Sequence, residues 1–110
     1  MARFVKGDVV VVPFPFSDLT EARRRPALVL AALGGDDVIL CQITSRNVRD
    51  QQAVGLDVSD FHSGSPRQQS NIRPNRVFTA DGHIILYVAG HRTDQKTAEA
   101  VDRLVAILRE

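Results

Sequence analysis

The run Val38-Ile39-Leu40-Cys41-Gln42-Ile43-Thr44 is apolar on both faces of an extended chain, the pattern of a strand in the middle of a sheet. A sheet built around such a strand needs partners, and the flanking sequence supplies them. Val9-Val10-Val11-Val12 is a β-branched run that follows the turn Lys6-Gly7-Asp8, and Pro26 to Ala32 reads as a second strand. Gly34-Gly35-Asp36-Asp37 is the hairpin signal that joins this strand to Val38. Ala53 to Val58 alternates, with Val54, Leu56 and Val58 on one face. Ile72 to Thr79 is a further strand with a break at Pro74, and His83 to Val88 fits another strand or a short helical turn. Pro13-Phe14-Pro15-Phe16 reads as a stiff extended segment that forms no ladder. The segments 17–24, 45–52 and 59–69 read as loops. Thr93 or Asp94 caps a helix in which Ala98, Val101, Leu104, Val105 and Leu108 recur at helical spacing. Several short strands and one terminal helix predict a mainly β chain, a small, strongly bent sheet or partly open barrel. At 110 residues it forms a single domain over 1–110.

Charge enters through its distribution. The net charge is only +1, so bulk electrostatics does not announce a nucleic-acid binder. The basic residues are nevertheless almost all arginine, with Lys6 and Lys96 the only lysines. Arg23, Arg24, Arg25, Arg46, Arg49, Arg67, Arg73 and Arg76 fall in loops and at strand ends. A guanidinium is a planar fork of donors suited to two-point contact with phosphate oxygens. Pro26 pushes Arg25 into an extended conformation and so holds it at the lip of a strand. Cys41 is the only cysteine, which rules out an internal disulfide and reads as inert packing. There is no signal peptide and no apolar run of membrane-spanning length, so a cytoplasmic location and no membrane contact are expected.

The search for chemistry eliminates more than it finds. His62, His83 and His91 share no ligand spacing with one another or with Cys41, so no metal and no other cofactor is expected. Neither a glycine-rich phosphate loop nor a nucleophile elbow occurs. What remains is Arg25 at a strand start, Thr44-Ser45 at a strand end, and Ser70-Asn71 with Arg73 and Arg76. Guanidinium forks beside hydroxyls, without metal or thiol, suit a phosphodiester. RNA carries its own nucleophile in the 2′-hydroxyl, so a protein need only orient that attack and stabilise charge on the phosphoryl oxygens. The bland alternative for Arg25 is a solvated loop end, and for Thr44 a strand-edge hydroxyl satisfying a backbone group.

These residues resemble the PemK/MazF-like toxins of bacterial type II toxin–antitoxin pairs. The matching segments are Lys6-Gly7-Asp8-Val9-Val10, Pro13-Phe14-Pro15-Phe16-Ser17-Asp18-Leu19 and Arg25-Pro26-Ala27-Leu28-Val29-Leu30. They continue with Cys41-Gln42-Ile43-Thr44-Ser45 and Ser70-Asn71-Ile72-Arg73-Pro74-Asn75-Arg76-Val77-Phe78-Thr79, and they keep their order along nearly the whole chain. The resemblance implies an SH3-like small barrel with a C-terminal helix, of the PemK/MazF/Kid/CcdB-like fold, usually a homodimer. It implies metal-independent, sequence-specific cleavage of single-stranded RNA or mRNA to 2′,3′-cyclic phosphate and 5′-hydroxyl ends, blocked by a cognate antitoxin. It places the catalytic roles on Arg25 and Thr44. RNA-binding roles are expected at Ser17, Asp18, Arg23, Arg24, Ser45, Arg46, Ser70, Asn71, Arg73 and Arg76. The Phe14–Arg24 loop is expected to cover the RNA groove, with Arg23 and Arg24 adding phosphate contacts. One departure from the family is visible: some members carry an Arg-Thr-Ile-Asp run where this chain has Arg76-Val77-Phe78-Thr79.

A guanidine with a pKa above about 12 is a poor base near neutral pH. Arg25 is therefore expected to stabilise transition-state charge while Thr44 fixes the phosphate. The acceptor of the 2′ proton is left open between Asp18 and a histidine. Three other classes compete with the nuclease: a same-fold toxin that poisons a protein such as DNA gyrase, a silent nucleic-acid-binding module, and a plain interaction domain. The last is disfavoured by the absence of Trp and an aromatic content of 5%.

Overall fold

The computed structural model describes residues 4–14, 23–44, 54–56, 61–63, 70–92 and 94–110. The valine run becomes β1 (Asp8–Phe14), followed by β2 (Arg23–Ala32) and β3 (Asp37–Thr44). Then come β4 (Val54–Leu56), β5 (Phe61–Ser63) and β6 (Ser70–Asp81). A 3₁₀ turn (Gly82–Ile84) leads into β7 (Tyr87–Arg92), and α1 (Asp94–Leu108) ends the chain. The strands form one curled seven-stranded sheet in the order β4-β6-β3-β2-β1-β7-β5. Every pairing is antiparallel. Among the described residues, no helix is long and apolar enough to cross a membrane.

β3 lies inside the sheet between β2 and β6, as its two apolar faces require. Its outward and inward side chains enter two different cores. One contains Val9, Leu28, Leu30, Cys41, Ile43, Val54, Ile72 and Ala100, so it is the core that α1 covers. The other contains Val10, Val12, Ala27, Val29, Val38, Leu40 and Ala80, with Phe4, Phe78 and Ile85 packed against it. Burying apolar surface on both sides of a strand that carries no charge between Val38 and Thr44 is what seats it inside the sheet. Cys41 is fully buried, in keeping with a packing role.

The β2–β3 hairpin turns where the glycines predict it. Gly35 has φ +79°, a conformation that side chains with a Cβ resist, and the Leu33 amide donates to the Asp37 carbonyl at 2.9 Å. Gly7 is the other left-handed glycine, with φ +98°, and a Cβ there would lie 3.0 Å from His91 Cε1 and 3.4 Å from Thr97 Oγ1. Close approach at Gly7 lets β1, β7 and the first turn of α1 meet. Asp8 locks that junction by accepting from the Val5 amide and pairing with His91 Nδ1, each at 2.9 Å.

Five local expectations are corrected. β1 runs on through Pro13 to Phe14 and pairs with Arg24 and Arg23 there. Pairing of β1 with β7 ends at Val11, so the proline removes no ladder bond on that side. β2 accordingly begins at Arg23 rather than Pro26. Phe61–Ser63, read as loop, is an edge strand on β7, too short for periodicity to reveal. β6 is continuous across Pro74: the register steps from Cys41↔Val77 to Gln42↔Arg73, so Pro74, Asn75 and Arg76 bulge out of the ladder. Finally, α1 turns Thr97 and Ala100 inward with Val101 and Leu104 beside them, while Ala98, Val105 and Leu108 are exposed.

Candidate functional site

The apolar floor of the second core ends in a row of polar side chains. Arg25 precedes Ala27 by two residues along β2, and Gln42 and Thr44 follow Leu40 by two and four along β3. Strand alternation therefore sets all three on the face of Val12, Ala27 and Leu40. On β6, Ile72 points into the other core, which turns Asn71 and Arg73 to this same face.

Register then brings them together. Val12 pairs with Arg25, Thr44 with Asn71, and Asn71 with Gly55. β2 and β3 pair Leu28 with Cys41 and Ala27 with Gln42, where the ladder ends; Arg25 and Thr44 each lie two residues beyond that last pair. The result is a row Arg25–Thr44–Asn71 across three strands, with a second row, Ala27–Gln42–Arg73, one pleat behind it. All of these but Ala27 are half-buried, so each side chain has one side on the core and one side open. At the far end of the row Gly55 is exposed and its missing Cβ would reach only ordinary contact with Asn71 Oδ1, at 3.9 Å.

No carboxylate among the described residues forms an ion pair with Arg25. Those that are paired lie elsewhere, at Asp8, Asp36, Asp81 and Glu99. Arg25 and Thr44 lie on the same face of the sheet. This arrangement suits a tetrahedral phosphoryl group.

Not every expected residue joins the row. Arg24 is exposed and, one residue from Arg25 in a strand, belongs to the opposite face. Arg76 is exposed on the β6 bulge, and Arg23 and Ser70 are placed only by their backbone, opposite Phe14 and Leu56. Ser17, Asp18, Ser45 and Arg46 lie outside the described residues, as does the middle of the loop expected to cover the groove. His91 is removed from the row, since Asp8, its partner in register, is four strand residues from Val12, about 13 Å away. His83 is bound up at the other end of β3 and β6. Neither stands at the row, while Asp18 and the side chain of His62 lie outside what the structure describes.

The histidine spacing in the sequence hid one grouping. Asp36, Asp81 and His83 converge, with ligand atoms within 4.8 Å of one another, all exposed. His83 Nδ1 lies 2.7 Å from Asp81 Oδ1, and the His83 backbone amide donating to that carboxylate holds the Asp81 pKa below its ordinary value. These contacts account for the trio within the turn. The sequence reading also passed over Gln42, whose signal was legible: it is the one amide in an otherwise apolar run.

A curled antiparallel sheet with a terminal helix laid on one face is the architecture of the small MazF-like toxin folds. The structure aligns with MazF of Deinococcus radiodurans at TM-score 0.79 and 21% identity, over 100% of both chains. It aligns with the MazE–MazF complex of the same organism at TM-score 0.75 and 20% identity, over 98% of this chain and 97% of the other. An endoribonuclease of a mycobacterial species, solved in complex with its cognate antitoxin, aligns at TM-score 0.73 and 12% identity, over 97% and 96%. No curated protein matches the sequence. The sequence model of the PemK-like, MazF-like toxin of type II toxin–antitoxin systems matches residues 5–108, and the chain belongs to that family.

Proposed function

We propose that this toxin is a metal-independent endoribonuclease that cuts single-stranded RNA at the Arg25–Thr44–Asn71 row. What supports the reading is that Arg25 and Thr44 share a face, each two residues beyond the Ala27–Gln42 pair, and that Thr44 pairs with Asn71. The 2′-oxygen attacks the adjacent phosphorus as the bond from phosphorus to the 5′-oxygen breaks. The 2′ proton leaves to an acceptor and the 5′-oxygen gains one, so the products are a 2′,3′-cyclic phosphate and a 5′-hydroxyl. Arg25 stabilises the added charge on the phosphoryl oxygens and Thr44 fixes their position. A toxin that poisons a protein partner without cutting needs no such row. In excess EDTA, purified protein is expected to cut a long unstructured RNA, leaving ends that carry cyclic phosphate. Cleavage only on adding Mg²⁺ would sink the mechanism, and no cleavage would sink the reading.

A cognate antitoxin, as in the mycobacterial and Deinococcus complexes, is the partner expected to cover the groove. The working form we propose is a homodimer. Leu86, Tyr87 and Val88 are exposed at 47%, 53% and 47%, an apolar stretch that a second copy can cover. Light scattering at micromolar concentration should report about twice the chain mass of 12.1 kDa; a monomer that cuts RNA refutes the dimer alone.

A further inference from the structure

The polar row has two unlike ends. At one, Arg25 pairs with Val12, which is fully buried on β1, and the pairing of β1 with β7 has already stopped at Val11. The row runs into the core there and offers a chain of nucleotides no surface to follow. At the other end, Asn71 pairs with Gly55 on β4, the edge strand of the sheet, and Gly55 is exposed. Val54 beside it is buried in the core that α1 covers, so strand alternation turns position 55 to the face of the row.

A glycine inside a strand weakens it, since it loses more freedom on folding than other residues and brings no side chain to the cross-strand pair. Three local reasons for accepting that cost are absent at Gly55. Its φ is not positive, a conformation that among the described glycines only Gly7 and Gly35 adopt. The ladder of β4 on β6 steps evenly from Val54↔Ile72 through Gly55↔Asn71 to Leu56↔Ser70, without a bulge. A Cβ would meet nothing closer than Asn71 Oδ1 at 3.9 Å, so packing does not demand its absence either. The remaining use of a strand glycine is the close approach of something from outside.

Resting on the ribonuclease reading for its substrate, we infer that the row is a groove with one open end and that RNA leaves the site across Gly55. The bare backbone at position 55 is a notch in the sheet edge. It lies two strand spacings from Thr44, about 10 Å, so the nucleotide next to the bound phosphate crosses it. The closed end fixes the path of the other flank, which turns away from the sheet before Val12.

The test is a matched pair of substitutions. Gly55→Leu fills the notch. Gly34→Leu adds the same side chain at the β2–β3 turn, at the other end of these strands, where a Cβ would meet nothing within 4 Å. The probe is a single-stranded 2′-fluoro RNA dodecamer of mixed sequence, which lacks the nucleophile and stays intact, with binding read by anisotropy. Gly55→Leu should weaken binding about tenfold or more, the scale of forcing a side chain into occupied space, while Gly34→Leu stays within about twofold of wild type. The melting temperature of Gly55→Leu should stay at or above that of the wild type, because a side chain replaces a strand glycine without a clash. Undiminished binding by Gly55→Leu, or an equal loss in Gly34→Leu, overturns the inference. A lowered melting temperature in Gly55→Leu does the same, because it makes the glycine structural. A wild-type protein without affinity for the dodecamer overturns it as well. If wild type and Gly55→Leu cut ordinary RNA equally fast, the nuclease stands and the notch falls. Loss of binding confined to Gly55→Leu, in a protein that cuts no RNA, would keep the notch and remove the nuclease.

Discussion

Arg25→Ala is expected to reduce RNA cleavage by about 10²–10³-fold, the loss typical of removing one preorganised donor aimed at developing charge. Thr44→Ala should cost on the order of a hundredfold or more by the same argument, measured as single-turnover cleavage of a defined RNA. Both side chains lie in the polar row beyond the apolar core, outside either cluster. Circular dichroism and the thermal transition should therefore stay close to wild type. Arg25→Lys should recover only part of the rate, because lysine keeps the charge and loses the fork that grips two oxygens. Full activity in either alanine variant would return that residue to the bland reading, a solvated strand position or a hydroxyl that satisfies the backbone.

Leu28→Ala should do the opposite, damaging the fold and sparing the chemistry per folded molecule. Leu28 is fully buried on β2, the middle strand of the sheet, paired with Val9 on one side and Cys41 on the other. It shares its core with Ile43, Ile72 and Ala100 of α1. Truncating such a leucine costs about 2–5 kcal/mol, the lost transfer energy plus the cavity left behind. Against the roughly 5–15 kcal/mol that holds a domain of this kind together, that is a large share. Urea unfolding should show a lower midpoint with an unchanged slope. A loss under about 1 kcal/mol would mean that α1 settles into the cavity and that the helix–sheet contact is softer than its burial implies.

The two variants separate what was legible in the chain from what was not. Cores and strands were legible because burial is written in periodicity: Val9–Val12, Val38–Thr44 and the glycines of the hairpin announce themselves within a few residues of sequence. The candidate pair Arg25 and Thr44 was legible through resemblance, as residue types in a familiar order. Pro13 and Pro74 were misleading, since proline's effect on a strand depends on whether a neighbour needs its missing N–H. That neighbour is supplied by a distant segment. The helix was recognised, but its inward face was displaced toward Thr97 and Ala100, because which stripe is buried is settled by the sheet it meets.

Local residue order, read alone, determined the mainly β class, the central strand, the terminal helix and the family. These depend on interactions between neighbours in sequence or on patterns with a short period. Only the tertiary structure decided which polar residues share a site. Arg25 joins Thr44 and Asn71 while Arg24 leaves for the other face, and Gln42 is drawn in behind them. Asp36, Asp81 and His83 meet although they are 45 and 47 positions apart in the chain, counted from Asp36 to Asp81 and from Asp36 to His83. The physical reason is register. Cross-strand pairing is fixed by the summed burial of whole strands, so the neighbours of any one polar side chain are chosen by apolar residues elsewhere in the sheet.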